Sequence, residues 1–179
     1  FQQVLFNKSR IVKIFILPSV RKVNADASES EEERISHMTN KQKLIQDSWE
    51  RCRIYGIERE GWNPAEILTG KELELILADS RELIDSARLL MQSLYELVAS
   101  SGFVVVLLNA TGYIVEVIGQ MDDAQSSWTG YYARGVKWTE EMVGTSALSL
   151  ALLGSGPIQV LGEEHYCKAY TNWTCSAAP

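Results

Sequence analysis

The 179-residue sequence has no run of 18 or more apolar residues, so no transmembrane helix is expected. Positive charge is not in surplus. Lys and Arg number 17 against 23 Asp and Glu, a formal net charge of -6, which excludes a bulk electrostatic drive toward nucleic acid. No GxxxxGK[ST] stretch occurs, so the chain has no P-loop with which to hydrolyse ATP. Cysteine is scarce, and Cys52, Cys167 and Cys175 form no CxxC. An odd, sparse count suits a reducing compartment, the cytoplasm, better than a disulfide framework. Only two histidines are present. His165-x-Cys167 with Cys175 farther on is no standard zinc spacing, and buried cysteines are commonly inert, so no metal or cofactor is expected. No internal repeat is visible.

What is present is the material of one ordinary globular domain, 46% apolar and 22% charged. The charge is uneven. Residues 1–22 carry Lys8, Arg10, Lys13, Arg21 and Lys22 and no acid, whereas residues 26–34 carry five acids against Arg34. Val12–Leu17 has the β-branched and aromatic content of a strand. Residues 24–36 are polar and acidic and read as linker. Residues 1–37 therefore read as an extension with an acidic linker, and the folded domain is expected over 38–179.

From Asn40 a helix is expected, with Leu44, Ile45, Trp49 and Cys52 on one face and Gly56 as its stop. Leu73, Ile76, Leu77, Ser80, Leu83, Ile84, Ala87, Leu90, Met91, Leu94, Leu97 and Val98 keep a three- and four-residue rhythm. That rhythm predicts one long helix over 72–99. It suits either a helix laid across a sheet or a parallel coiled-coil dimer contact through Leu83, Ile84, Leu90 and Met91. Phe103–Leu108 is a buried strand, 109–112 (Asn-Ala-Thr-Gly) a hairpin turn, and Tyr113–Ile118 the antiparallel return. Thr139 is placed to cap a helix whose first turn holds Glu140 and Glu141. Gly144-Thr145-Ser146 interrupts that helix, residues 147–153 continue it, and Ile158–Leu161 is a further strand. A helix, a hairpin, then a helix crossing to another strand is an α+β arrangement, an antiparallel sheet flanked by helices.

Several stretches are more specific. Ser48-Trp49-Glu50-Arg51-Cys52 followed by Tyr55-Gly56-Ile57, the hairpin 104–114 (VVVLLNATGYI), Trp138-Thr139-Glu140-Glu141 with Gly144-Thr145-Ser146-Ala147, Glu164-His165-Tyr166, and 173–179 (WTCSAAP) fall in one collinear series over about residues 41–179. The series resembles the GAF-like sensor domain of the acetoin-catabolism activator family, bacterial enhancer-binding regulators that work with sigma-54. Ser146 departs from that pattern, which has Asn there, and so loses the amide's paired donor and acceptor. The resemblance implies a GAF-like antiparallel sheet. In the family the pattern continues into further strands, an AAA+ ATPase module and a DNA-binding helix-turn-helix. It thus implies that the sheet here lacks its last strands and has an unpaired edge.

Glu164-His165 has no nucleophile at a diagnostic spacing, so catalysis is not expected. The arrangement suits a ligand pocket, with Trp138, Tyr166 and Trp173 as walls and Glu140, Thr145, Ser146 and His165 as polar points. The ligand would be a small metabolite, a carbonyl compound or polyol. The aromatics equally suit plain core. A homodimer is the expected assembly. Two rivals stand beside the sensor reading: a redox enzyme using Cys167 or Cys175, as in GAF-type reductases of free methionine sulfoxide, and a purely structural dimerisation module.

Overall fold

Five consecutive apolar residues form strand β2, Val104–Leu108, and all five are buried because the strand is covered on both faces. The computed structural model describes residues 12–18, 31–60, 66–99, 103–119 and 132–179. Strand β3, Ile114–Ile118, returns from a turn in which the Asn109 Oδ1 accepts the backbone N–H groups of Thr111 and Tyr113. Gly112 sits there at φ 86°, and a Cβ would meet Thr139 Cγ2 at 2.6 Å, so a side chain is excluded on both counts. The other strands are β1, Val12–Pro18, β4, Ile158–Leu161, and β5, Trp173–Ala178. The sheet runs β3-β2-β1-β5-β4, antiparallel throughout.

Helices cover both faces of this sheet. Helix α2, Gly70–Asp79, and helix α3, Arg81–Val98, lie on one side, where Ile84, Ala87 and Met91 pack against Val105, Leu107 and Val115. The larger core lies on the other side. There Val106, Leu108, Ile114, Val160 and Cys175 meet Cys52 of α1 (Glu31–Ile54), Val143 of α4 (Glu140–Val143), and Ala147 and Leu148 of α5 (Ala147–Leu152). This is the α+β, helix-flanked antiparallel sheet that the element order implies.

The structure differs from the sequence reading in several places. The expected single helix over 72–99 is two, divided at the buried Ser80, whose φ of -89° and ψ of 5° fall in the bridge region. The apolar rhythm runs through the bend without a break, so spacing alone does not reveal it. Ile84 and Met91, expected in a dimer contact, are taken up by the chain's own sheet. Of the same four, Leu90 stays 46% exposed and Leu83 is partly covered. Helix α1 begins at Glu31, inside the acidic stretch that composition marks as linker. Three glutamates opening a helix are favoured both by propensity and by the positive end of the helix dipole. Strand β1, read as part of an extension, occupies the centre of the sheet, with Val12 beside Leu108 and Ile16 beside both Val104 and Cys175. Residues 24–30 of the expected linker lie outside the described residues. Among the described residues no helix is long and apolar enough to cross a membrane.

Candidate functional site

The break at Gly144-Thr145-Ser146 makes α4 and α5 two short helices rather than one. Gly144 has φ 74°, and a Cβ there would lie 3.3 Å from Tyr166 Cβ, so only glycine lets the chain turn under that ring. Ser146 then caps α5. Its hydroxyl accepts the Ser149 N–H at 3.2 Å, and the Ser149 hydroxyl accepts the Ser146 N–H at 3.0 Å. Ser146, expected as a ligand contact, is thus engaged in a reciprocal cap with Ser149. Thr139 holds the N-cap position of α4, but its hydroxyl caps nothing.

Glu140 and Thr145 belong to a polar network beneath α1. Arg51 donates from Nε to Glu140 Oε2 at 2.5 Å and from Nη2 to Oε1 at 2.9 Å, and the Ser48 hydroxyl also donates to Oε1. The Ser48 and Thr145 hydroxyls are 2.7 Å apart, with the Cys52 thiol 3.4 Å from Thr145. The Arg51 guanidinium is held above its ordinary pKa, first by its hydrogen bond to Glu140. Tyr166 is likewise engaged with α1, meeting the edge of Trp49 with ring centres 5.5 Å apart, while Trp49 Nε1 donates to the Glu164 carbonyl.

The remaining three expected residues come together in an aromatic cluster. Tyr132 stacks on Trp138 at 4.8 Å, Trp138 meets Tyr170 at 5.7 Å, Tyr170 meets Trp173 at 5.1 Å, and Trp173 returns to Tyr132 at 5.6 Å. His165 borders this closed ring through Tyr170, at 6.2 Å. Tyr132 and Tyr170 are not legible as site residues in the sequence. Tyr132 lies in a polar, glycine-flanked segment with no periodic signal, and Tyr170 between two chain reversals.

Two polar atoms at the cluster are orphaned. Among the described residues, Tyr132 Oη and His165 Nε2 are buried with no hydrogen-bond partner, a condition that ordinarily costs about 1–3 kcal/mol for each group. His165 Nδ1 lies 3.0 Å from the Gly162 carbonyl. A carbonyl only accepts, so Nδ1 carries the proton and Nε2 presents a bare lone pair. Burial pushes the His165 pKa down to about 4 and holds the Tyr132 phenol far above its usual range. Both groups are therefore neutral.

The histidine shift carries a pH dependence. Between its ordinary value of 6.5 and about 4, the unfolded chain binds a proton that the folded chain refuses. Stability is then full above the unfolded value and falls as pH drops, by roughly 3 kcal/mol across the interval. Urea unfolding at pH 7, 6 and 5 is expected to show that decline, and a His165→Gln chain is expected to flatten it. Equal slopes in the two chains would remove His165 as the cause.

The three cysteines are free and buried. Burial pushes the Cys175 thiol up to about 12 and raises Cys52 as well, whereas nucleophilic thiolates have lowered values. Cys167 donates weakly to the Val143 and Glu58 carbonyls at 3.5 and 3.6 Å. Among the described residues no group of three or more His, Cys, Asp or Glu side chains is placed to hold a metal ion.

No protein-family model matches the chain. It is 35% identical over 153 residues to the acetoin catabolism regulatory protein of Cupriavidus necator, covering 82% of this chain and 22% of that protein. It is 30% identical over 136 residues to a signal-transduction and transcriptional-control protein of Clostridium beijerinckii, covering 76% of this chain and 22% of that one. The chain thus spans about a fifth of the length of these curated relatives. In structure it is similar to a chain of the E. coli DhaR(N)–DhaL complex, with TM-score 0.67 and 22% identity, over 76% of this chain and 52% of that one.

Proposed function

We propose that this chain, which belongs to the acetoin-catabolism activator family of transcriptional regulators, is the non-catalytic sensor portion of such a regulator. The aromatic cluster is its ligand site. The observation that carries the reading is the pair of orphaned neutral groups at the cluster. His165 Nε2 accepts a hydrogen bond from a ligand hydroxyl, Tyr132 Oη donates to a carbonyl or second hydroxyl, and the ring faces cover the carbon skeleton. That complement fits a small uncharged hydroxycarbonyl compound or polyol. Relatives of the chain are regulators of acetoin and dihydroxyacetone kinase operons. Ligand binding would favour one of two arrangements of the domain, and downstream ATPase and DNA-binding modules of the intact regulator, working with sigma-54, would read the difference. The Cys175 thiol, buried and with a raised pKa, is a poor nucleophile for the redox reading.

Calorimetry and thermal melting against acetoin, dihydroxyacetone and glycerol test this. At least one compound is expected to bind saturably and raise the melting temperature. Tyr132→Phe is expected to weaken that binding about tenfold, the loss of one good hydrogen bond, while the free protein becomes more stable because a buried orphan has gone. No binding by any of the three, together with an unchanged Trp138→Ala melting response, ends the pocket reading.

A second copy of the chain is the partner we propose, on one observation. Leu83, Leu90 and Leu97 recur every seven residues along α3, with Ser86 and Ser93 between them. Leu90 is 46% and Leu97 81% exposed. The two serine hydroxyls bond back to the Glu82 and Leu89 carbonyls of their own helix, so the stripe offers leucine and little else. Sedimentation is expected to show a dimer that Leu90→Glu converts to monomer.

A further inference from the structure

A second polar centre lies between α3 and the edge strand β3. Glu116, only 3% exposed, points its carboxylate at two guanidiniums from separate elements. Arg88 of α3 donates to Oε2 at 2.7 Å. Arg134 donates to Oε1 through both Nε, at 3.1 Å, and Nη2, and the Val117 N–H adds a third bond to Oε1. Burial raises the carboxyl pKa, but the bonds from Arg134, Arg88 and Val117 outweigh it and hold Glu116 below the ordinary carboxylate range.

One guanidinium is enough to neutralise one carboxylate. Here there are two, so the trio carries a net positive charge in a protein whose formal charge is -6. Both arginine side chains are about half exposed, at 51% and 48%. Each guanidinium has five donors in a flat fork, and Glu116 takes one bond from Arg88 and two from Arg134. Both arginines line a groove of about 610 Å³ together with Glu116, Gln92, Tyr95 and Ile118. Asp85, one turn before Arg88 on the helix, is paired with Arg81 at 3.7 Å and also adds its negative field at Arg88.

We propose that this groove is a second ligand site, selective for a small oxyanion, the carboxylate or phosphate of a metabolite. Glu116 fixes the two forks, and their outward edges grip the anion in the bidentate manner that suits such groups. The site is separate from the aromatic cluster and recognises the opposite kind of molecule, charged rather than neutral.

Calorimetric titration of the whole chain with inorganic phosphate and with succinate, at constant ionic strength, tests the proposal. Saturable binding of at least one is expected. Arg134→Gln is expected to weaken it tenfold or more. Glu116→Gln, which keeps an acceptor for the arginines but removes the competing charge, is expected to tighten it. Tyr132→Phe is expected to leave it unchanged, which separates this site from the sensor site whether or not that one binds its own ligand. The proposal is overturned if neither the parent nor the Glu116→Gln chain binds either anion saturably. It is overturned equally if Arg134→Gln, shown by circular dichroism to be folded, binds as the parent does.

Discussion

A Phe15→Pro chain is expected to lose about 1–3 kcal/mol of folding stability, the cost of leaving a buried ladder carbonyl without its donor. The reason lies in the backbone of β1. Phe15 stands between Val105 of β2 and Ser176 of β5, in the middle strand of five. An interior strand has no edge turned to water, so a missing N–H cannot be replaced there. Against a typical stability of about 5–15 kcal/mol for a domain, that loss takes a sizeable part of the margin. Urea unfolding followed by tryptophan fluorescence measures it. A midpoint within experimental error of the parent would mean that β1 does not hold the centre of the sheet. The register supplies an independent check. Ile16 lies beside Cys175, so an Ile16→Cys chain is expected to form a disulfide on mild oxidation that locks β1 to β5.

The second large effect belongs to Arg51. Glu140 is 4% exposed, and its carboxylate is held by the Arg51 fork and the Ser48 hydroxyl. Arg51→Met removes the only cation bonded to it among the described residues and leaves a buried charge beside the Ser48 hydroxyl. Breaking a buried pair from one side costs about 3–5 kcal/mol. Because the Arg51 side chain is 36% exposed, water partly replaces it, and about 3 kcal/mol is expected. The double variant Arg51→Met with Glu140→Gln is expected to recover most of the loss, since it removes the stranded charge itself. If the double variant is as unstable as the single one, the damage comes from lost packing by the arginine stem and not from charge.

What the sequence disclosed was local. The hairpin at 109–112 is written in Asn109 and Gly112, and the division of α4 from α5 in Gly144-Thr145-Ser146, because positive φ and side-chain capping depend on adjacent residues. The sheet-facing stripe of α3 is legible in its period. The bend at Ser80 is not, because a serine on the apolar face keeps the helical phase while the backbone departs from it. The apolar run at 12–17 announces a strand, yet nothing within it names β2 and β5 as its neighbours. Pairing partners are a property of distant segments. The same limit applies to the candidate site. Trp138, Trp173 and His165 stand in recognisable motifs, whereas Tyr132 and Tyr170 join them only through the fold. Glu140, Thr145 and Ser146 sit in equally recognisable motifs and are hydrogen-bonded within the fold. Residue type and spacing identify polar groups but do not tell which ones the fold leaves without a partner.

The place of β1 also governs how the protein must come into being. Lys13 pairs with Ala178, so the first and last strands described here are neighbours. On the ribosome, β1 emerges long before β2, and its second edge stays unmatched until β5 has been made. Synthesis at about 5–20 residues per second leaves this apolar segment exposed for many seconds. Contacts so distant along the chain also slow folding itself into the millisecond-to-second range. Nascent chains of this protein should therefore be strong clients of holding chaperones until β5 has left the ribosome.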